Sequence, residues 1–220
     1  PQDRSSAASD VYKRQPLSVY LKLADGPDSY LLESVEGGEN WGRYSIIGLP
    51  CRRRVEVKRR RWREFDFGRV VADLKVEDPL AAVAQYQRRF NVPRIPELPK
   101  FTGGMVGYFG YETINYIEPR LNLHSKRDQL GVPDIQLLLS EEVAVLDNLA
   151  GKLYLIVNVD PANDDAWHAA QRRLDQLEHR LRCGAPGYVQ SSSVPVTDPE
   201  FKYGFTQRDF ENAVRRVKDY

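Results

Sequence analysis

Residues 30–48 read Tyr-Leu-Leu-Glu-Ser-Val-Glu-Gly-Gly-Glu-Asn-Trp-Gly-Arg-Tyr-Ser-Ile-Ile-Gly. Two short apolar runs, residues 30–32 and 46–47, flank a segment carrying Gly37, Gly38, Asn40 and Gly42, the pattern of two strands joined by a tight connection. Glu33 and Ser34 end the first strand, and Arg43, Tyr44 and Ser45 begin the second. One bend therefore gathers a carboxylate, two hydroxyls, a guanidinium and a phenol. A carboxylate suits an ammonium, and a hydroxyl or guanidinium suits a carboxylate, so the cluster has the chemistry to hold a small zwitterion. On composition alone, such a bend is more often an ordinary polar hairpin end.

The rest of the chain reads as further strands and a few helices. Apolar residues alternate at Leu17, Val19, Leu21 and Leu23, which fits a half-buried strand or a short helix with extra apolar positions. Residues 51–67 place Val55 and Val57 before a basic stretch and Trp62, Phe65 and Phe67 after it, a hairpin with a basic turn. Glu56, Glu64 and Asp66 interleave with its arginines, so a charged, solvated sheet edge is the expectation rather than a nucleic-acid surface. Asp78-Pro79 supplies an N-cap and a proline at the first helical position, with Leu80, Val83, Ala84 and Phe90 as the expected buried face. The glycines of residues 101–112 lack the Gly-Lys-Ser/Thr ending of a phosphate loop and suit a strand with close backbone approach.

Residues 135–147 and 153–159 are two long apolar runs joined by a turn, expected as a central antiparallel hairpin. Trp167, Ala170, Leu174, Leu177 and Leu181 then recur at helical steps, ending at Gly184. Residues 185–199, rich in Gly, Ser and Pro, read as a linker. Thr206 to Asp209 opens a last helix whose apolar residues, Phe210, Val214 and Val217, find no partner in the sequence. Strands clustered at 17–67 and 101–159 with helices between and after them predict an α+β class of antiparallel sheets packed face to face with flanking helices.

Composition narrows the functional classes. Residues 1–15 are polar, aperiodic and similar to a translated adapter read-through, so they are set apart from the fold. Without them basic and acidic side chains balance, and no polyanion partner is implied. No apolar run approaches the roughly 20 residues that span a bilayer and no cleavable signal pattern is visible, so a cytoplasmic location without membrane association is the expectation. Cys51 and Cys183 match no metal spacing and read as free thiols. His124, His168 and His179 have no sequence neighbours that suggest ligation or catalysis.

Leu-Leu-Glu-Ser at 31–34 and Gly-Arg-Tyr-Ser-Ile-Ile-Gly at 42–48 resemble the N-terminal region of anthranilate synthase component I. The stretch Phe-Thr-Gly-Gly-Met-Val-Gly-Tyr-Phe-Gly-Tyr-Glu at 101–112 is similar to one shared by the large subunits of anthranilate and aminodeoxychorismate synthases. The resemblance covers residues 16–220. It implies an allosteric L-tryptophan site made by Pro16, Leu32, Glu33, Ser34, Arg43, Tyr44 and Ser45. It also implies an intact enzyme, a lyase, that converts chorismate and an amino group from glutamine into anthranilate and pyruvate in tryptophan synthesis. That enzyme would use Mg2+ and ammonia from a glutamine amidotransferase partner, component II. Three parts are expected: a tail at 1–15, a regulatory domain at 16–195, and at 200–220 the first helix of a chorismate-binding domain. The magnesium and chorismate ligands would follow residue 220, so no catalytic residue is expected here. Aminodeoxychorismate synthase component I is the alternative enzyme, although its relatives more often show Leu-Asp-Ser and Gly-Arg-Phe. A non-enzymatic amino-acid-binding module is the alternative of another class.

Overall fold

The computed structural model describes residues 16–33, 42–121, 128, 130–183 and 204–219. Ser34, Trp41, His124, Gly184, the tail and the expected linker lie outside the described residues. The chain divides into two compact units, residues 1–187 and 188–220.

In the first unit, helix α1 (Pro16–Leu23) precedes strands β1 (Tyr30–Glu33), β2 (Tyr44–Gly48), β3 (Arg53–Lys58), β4 (Arg61–Asp66) and β5 (Arg69–Lys75). Helix α2 (Pro79–Gln87), strand β6 (Gly104–Phe109) and the short helix α3 (Ile114–Ile117) follow. Strands β7 (Ile135–Ser140), β8 (Glu142–Asp147) and β9 (Lys152–Val157) lead into helix α4 (Ala166–Cys183). The strands make two antiparallel sheets, ordered β1-β2-β8-β9 and β5-β4-β3-β7-β6, with the helices flanking them.

The apolar run at 135–147 is not one strand of a central hairpin. It breaks at Glu141, so that β7 joins the five-stranded sheet and β8 the four-stranded one, and the β8–β9 hairpin sits at a sheet edge. Both strands are buried on both faces, so neither shows a period-two alternation, and the polar step Ser140-Glu141-Glu142 is where the chain changes sheets. The basic hairpin is real but interior: β3 lies between β4 and β7, and β5 is the edge. Its charges are neutralised by carboxylates, with Arg52 on Asp66, Arg53 on Glu141, Arg54 on Asp28 and Glu56, Arg60 on Glu77, Arg61 on Asp73 and Arg63 on Glu56.

The four-stranded sheet carries α1 and α4 on one face. Val19, Leu23 and Ala24 pack with Ile47, Leu49, Ala144, Leu146 and Leu177 in a single buried cluster. The ammonium of Lys22 donates to Leu181 O at 2.8 Å and Arg180 donates to Lys22 O at 2.9 Å, which pins α1 to the last turns of α4. The stripe of α4 is set by Ala166, Ala170 and Leu177; Trp167 falls off it and is 68% exposed. Helix α2 is capped by Asp78, whose carboxylate accepts from the N–H groups of Leu80 and Ala81. Tyr86, a residue without a place in the expected apolar face, is its most buried aromatic, against Trp62 and Phe90, and its hydroxyl donates to Glu64 at 2.8 Å. Ala84 is exposed instead.

In the second unit, helix α5 (Gln207–Lys218) is capped by Thr206, whose hydroxyl accepts from Asp209 N at 3.2 Å. Phe205 stacks on Phe210 with centroids 6.0 Å apart, and Phe210, Val214 and Val217 are exposed.

Candidate functional site

Strands β1 and β2 pair in register, Tyr30 opposite Gly48 and Glu33 opposite Ser45, so the ends named in the sequence do converge at one end of the four-stranded sheet. The close pairing at the far end depends on Gly48, where a Cβ would lie 1.9 Å from the ring of Tyr30. The Tyr30 hydroxyl in turn shares a hydrogen bond of 2.7 Å with Ser140 Oγ.

Strand alternation sorts the candidates onto two faces. Leu31 and Ile47 belong to the cluster under α1 and α4, so Glu33 and Ser45, two residues along each strand, face the same way. Ile46 and Tyr44 pack with Val143, Val145 and Ile156 on the opposite face, and Leu32, the partner of Ile46, goes with them. Leu32 is 49% exposed there. Pro16 is the first residue of α1, the helix that covers the face of Glu33 and Ser45. Thus Pro16, Glu33 and Ser45 share one side, and Leu32 and Tyr44 the other; Ser34 lies outside the described residues.

The polar groups differ in what they are free to do. Ser45 is 3% exposed, and its Oγ accepts a long 3.4 Å contact from Asn148 Nδ2. The Glu33 side chain is exposed, and among the described residues its carboxylate has no hydrogen-bond or ion-pair partner. It is the group able to receive a ligand ammonium. Arg43 is already engaged on one edge of its guanidinium. Its Nε donates to both oxygens of Asp147, at 3.2 and 3.1 Å, and its Nη2 to Oδ2 at 2.8 Å, while the guanidinium also lies 4.9 Å from the Tyr44 ring centroid. That guanidinium holds the Asp147 carboxyl below the ordinary carboxylate range, helped by the N–H of Ala150 and Leu149.

Asp147 and Asn148 are the residues that sequence reasoning missed. They open the β8–β9 turn and were legible only as turn residues, because their register opposite Tyr44 depends on β2 pairing with β8 across about a hundred positions of chain. A cleft of about 670 Å³ lies away from this bend where the two sheets meet, lined by Arg53, Glu141, Asn158, Asp160 and Arg173 among others. Arg53 and Arg173 are there already paired to Glu141 and Glu142. Among the described residues no group of three or more His, Cys, Asp or Glu side chains is placed to hold a metal ion. Among the described residues, no helix is long and apolar enough to cross a membrane.

The chorismate binding enzyme family model matches residues 34–220. Anthranilate synthase component 1 of Pseudomonas aeruginosa is 48% identical over 207 residues, covering 93% of this chain and 42% of that protein. The Pseudomonas putida protein of the same name is 49% identical over the same shares. The chain thus spans about 42% of the length of these curated relatives. Among solved structures, anthranilate synthase component I from Streptococcus pneumoniae TIGR4 superposes with a TM-score of 0.56 at 23% identity, over 94% of this chain and 43% of that one. At that identity it bears on the fold, which it shares: two antiparallel sheets with flanking helices.

Proposed function

Because the chain belongs to the chorismate binding enzyme family, we propose that it is the N-terminal, tryptophan-sensing part of an anthranilate synthase component I. The observation that carries this reading is the pairing of Glu33 with Ser45 across β1 and β2, beneath the helix that begins at Pro16. An exposed carboxylate, without a partner among the described residues, stands beside a buried hydroxyl on one face, and this is the arrangement needed to orient an amino acid by its ammonium. The high identity to relatives named anthranilate synthase component 1 supports the same reading.

On this proposal, the longer protein converts chorismate and ammonia to anthranilate and pyruvate in the cytoplasm. Magnesium, held by residues outside this chain, and a glutamine amidotransferase subunit take part. Tryptophan at the β1–β2 bend would lower activity by binding a less active state more tightly than the active one, which is the only way a ligand shifts such an equilibrium. The chain by itself would be inactive.

The test is to express the complete reading frame and incubate it with chorismate, magnesium and ammonium, following anthranilate by fluorescence with and without L-tryptophan. Anthranilate formation that tryptophan suppresses is the expected result. Accumulation of aminodeoxychorismate, or absence of any chorismate turnover, would overturn the proposal.

A further inference from the structure

The turn between β8 and β9 grips the start of β2 at four points. Asn148 N donates to Arg43 O at 2.8 Å, and Asn148 Nδ2 donates to Gly42 O at 3.2 Å and to Ser45 Oγ at 3.4 Å. The fourth point is the Arg43–Asp147 pair, whose carboxylate is 2% exposed. That carboxylate is itself fixed by the N–H groups of Leu149 and Ala150 at 3.1 and 3.0 Å. We propose that Asp147 and Asn148 are positioning residues for the ligand site at the β1–β2 bend, and that Arg43 acts through Asp147 rather than on the ligand. The proposal rests on the tryptophan-sensing reading above and names what holds that site in shape.

The physical reason lies in a competition between two carboxylates. Asp147 is in place before any ligand arrives, so its bidentate, charge-assisted contact with Arg43 costs no further ordering. To take the Nε/Nη2 edge, a ligand carboxylate would have to leave water, displace Asp147 and leave a buried carboxylate without its cation, so what the pair leaves open to a ligand is the outer, Nη1 side of the fork. Half of the Arg43 side chain is exposed at 51%, so the ligand's gain there would be screened by solvent while the loss at Asp147 would not. The guanidinium therefore remains a strut between β2 and the turn. Because Glu33 is paired opposite Ser45, and Ser45 opposite Leu146, the position of the turn passes directly to the two groups that face the ligand.

The experiment uses the full-length protein and isothermal titration with L-tryptophan on Arg43→Ala, Asp147→Asn, the Arg43→Ala/Asp147→Asn double variant, Asn148→Ala and Glu33→Ala, with melting temperature and the KM for chorismate measured alongside. Loss of a preorganised site predicts Kd raised about tenfold in both single variants of the pair, and no further in the double, because they break one and the same strut. Asn148→Ala, an exposed residue whose loss leaves the fold intact, weakens binding several-fold by releasing Gly42 and Ser45. The KM for chorismate stays put, which separates positioning from a general loss of structure. An unchanged Kd in Asp147→Asn beside a weakened Arg43→Ala would make Arg43 a direct ligand contact and overturn the proposal. A lowered melting temperature with unchanged Kd in the Asp147 and Asn148 variants would make the turn merely structural and overturn it equally. If Asp147→Asn fails to fold, Asn148→Ala decides alone, and an unchanged Kd there is fatal. Should Glu33→Ala also bind tryptophan as tightly as the parent, the reading of the bend itself fails; if only Glu33→Ala is weakened, that reading stands and this proposal falls.

Discussion

Replacing Gly107 with alanine puts a methyl carbon 1.9 Å from the backbone oxygen of Gln136 and 2.9 Å from both its carbonyl carbon and the Cα of Leu137. These are backbone atoms of the adjacent strand, so no side chain can swing away to make room. Relief requires β6 to separate from β7 by roughly 1.5 Å to reach ordinary carbon contact distance. Gly107 lies opposite Leu137, between the pairs Val106–Leu138 and Tyr108–Gln136, and such a displacement carries the neighbouring N–H···O contacts beyond hydrogen-bond range. Losing about two ladder bonds at about 1 kcal/mol each, plus packing lost where Met105 meets the Val55–Val57 cluster, gives about 2–4 kcal/mol. For a chain of this size that lowers Tm by roughly 5–15 °C. Urea unfolding followed by far-UV circular dichroism measures it, with Gly204→Ala as the reference, since nothing lies within 4 Å of its added Cβ. An unfolding midpoint for Gly107→Ala equal to that of Gly204→Ala would refute the close-approach argument.

Three further outcomes follow from the same structure. Leu177→Ala, which empties a site 1% exposed between α1 and α4, lowers unfolding free energy by about 2–5 kcal/mol in urea titration, whereas Trp167→Ala on the exposed side of α4 changes it by about 0.5 kcal/mol or less. Stability is lost at both pH extremes. The carboxyls of Asp66, Asp73, Asp128 and Asp147 are held low by Arg52, Arg61, Lys58 and Arg43, so their contribution is full above the ordinary value of 3.8 and disappears as pH falls below it. Burial pushes Cys51 from 9.0 to about 11 and Tyr30 from 10.0 to about 12, so their contribution is intact below pH 9.0 and is lost as pH rises through those values; equilibrium unfolding from pH 2 to 12 reads both limbs. The isolated chain, lacking whatever the rest of the protein adds to the indole pocket, binds L-tryptophan only at about millimolar strength or weaker; a micromolar Kd by calorimetry would contradict the half-site reading.

Much of the fold could be read from residues whose effect is local. Asp78-Pro79 and Thr206-to-Asp209 cap their helices as those residue types do wherever they occur. The β1–β2 and β3–β4 hairpins follow from period-two patterns broken by polar residues. What the sequence concealed depends on partners far along the chain. Residues 135–147 lack a period-two alternation because both sheets bury them, so the polar step Ser140-Glu141-Glu142 does not by itself read as a change of sheet. Strand β5 escaped notice because, at the sheet edge, Val70, Val71 and Leu74 stand exposed and give no alternation with a buried face. At the candidate site, the convergence of Glu33 with Ser45 was legible from the hairpin. The engagement of Arg43 by Asp147 was not, since an arginine beside a bend looks the same whether its partner is a ligand or a distant carboxylate.

The central claim is that the β1–β2 bend senses tryptophan, and the inhibition constant of L-tryptophan on the complete enzyme tests it most directly. Glu33→Ala and Ser34→Ala remove the carboxylate and the hydroxyl that would fix the ammonium and carboxylate of the ligand, and the loss of one charge-assisted hydrogen bond, about 1.5–3 kcal/mol, corresponds to roughly a ten- to hundredfold rise in that constant. An inhibition constant that stays at the parental value in both variants would contradict the account.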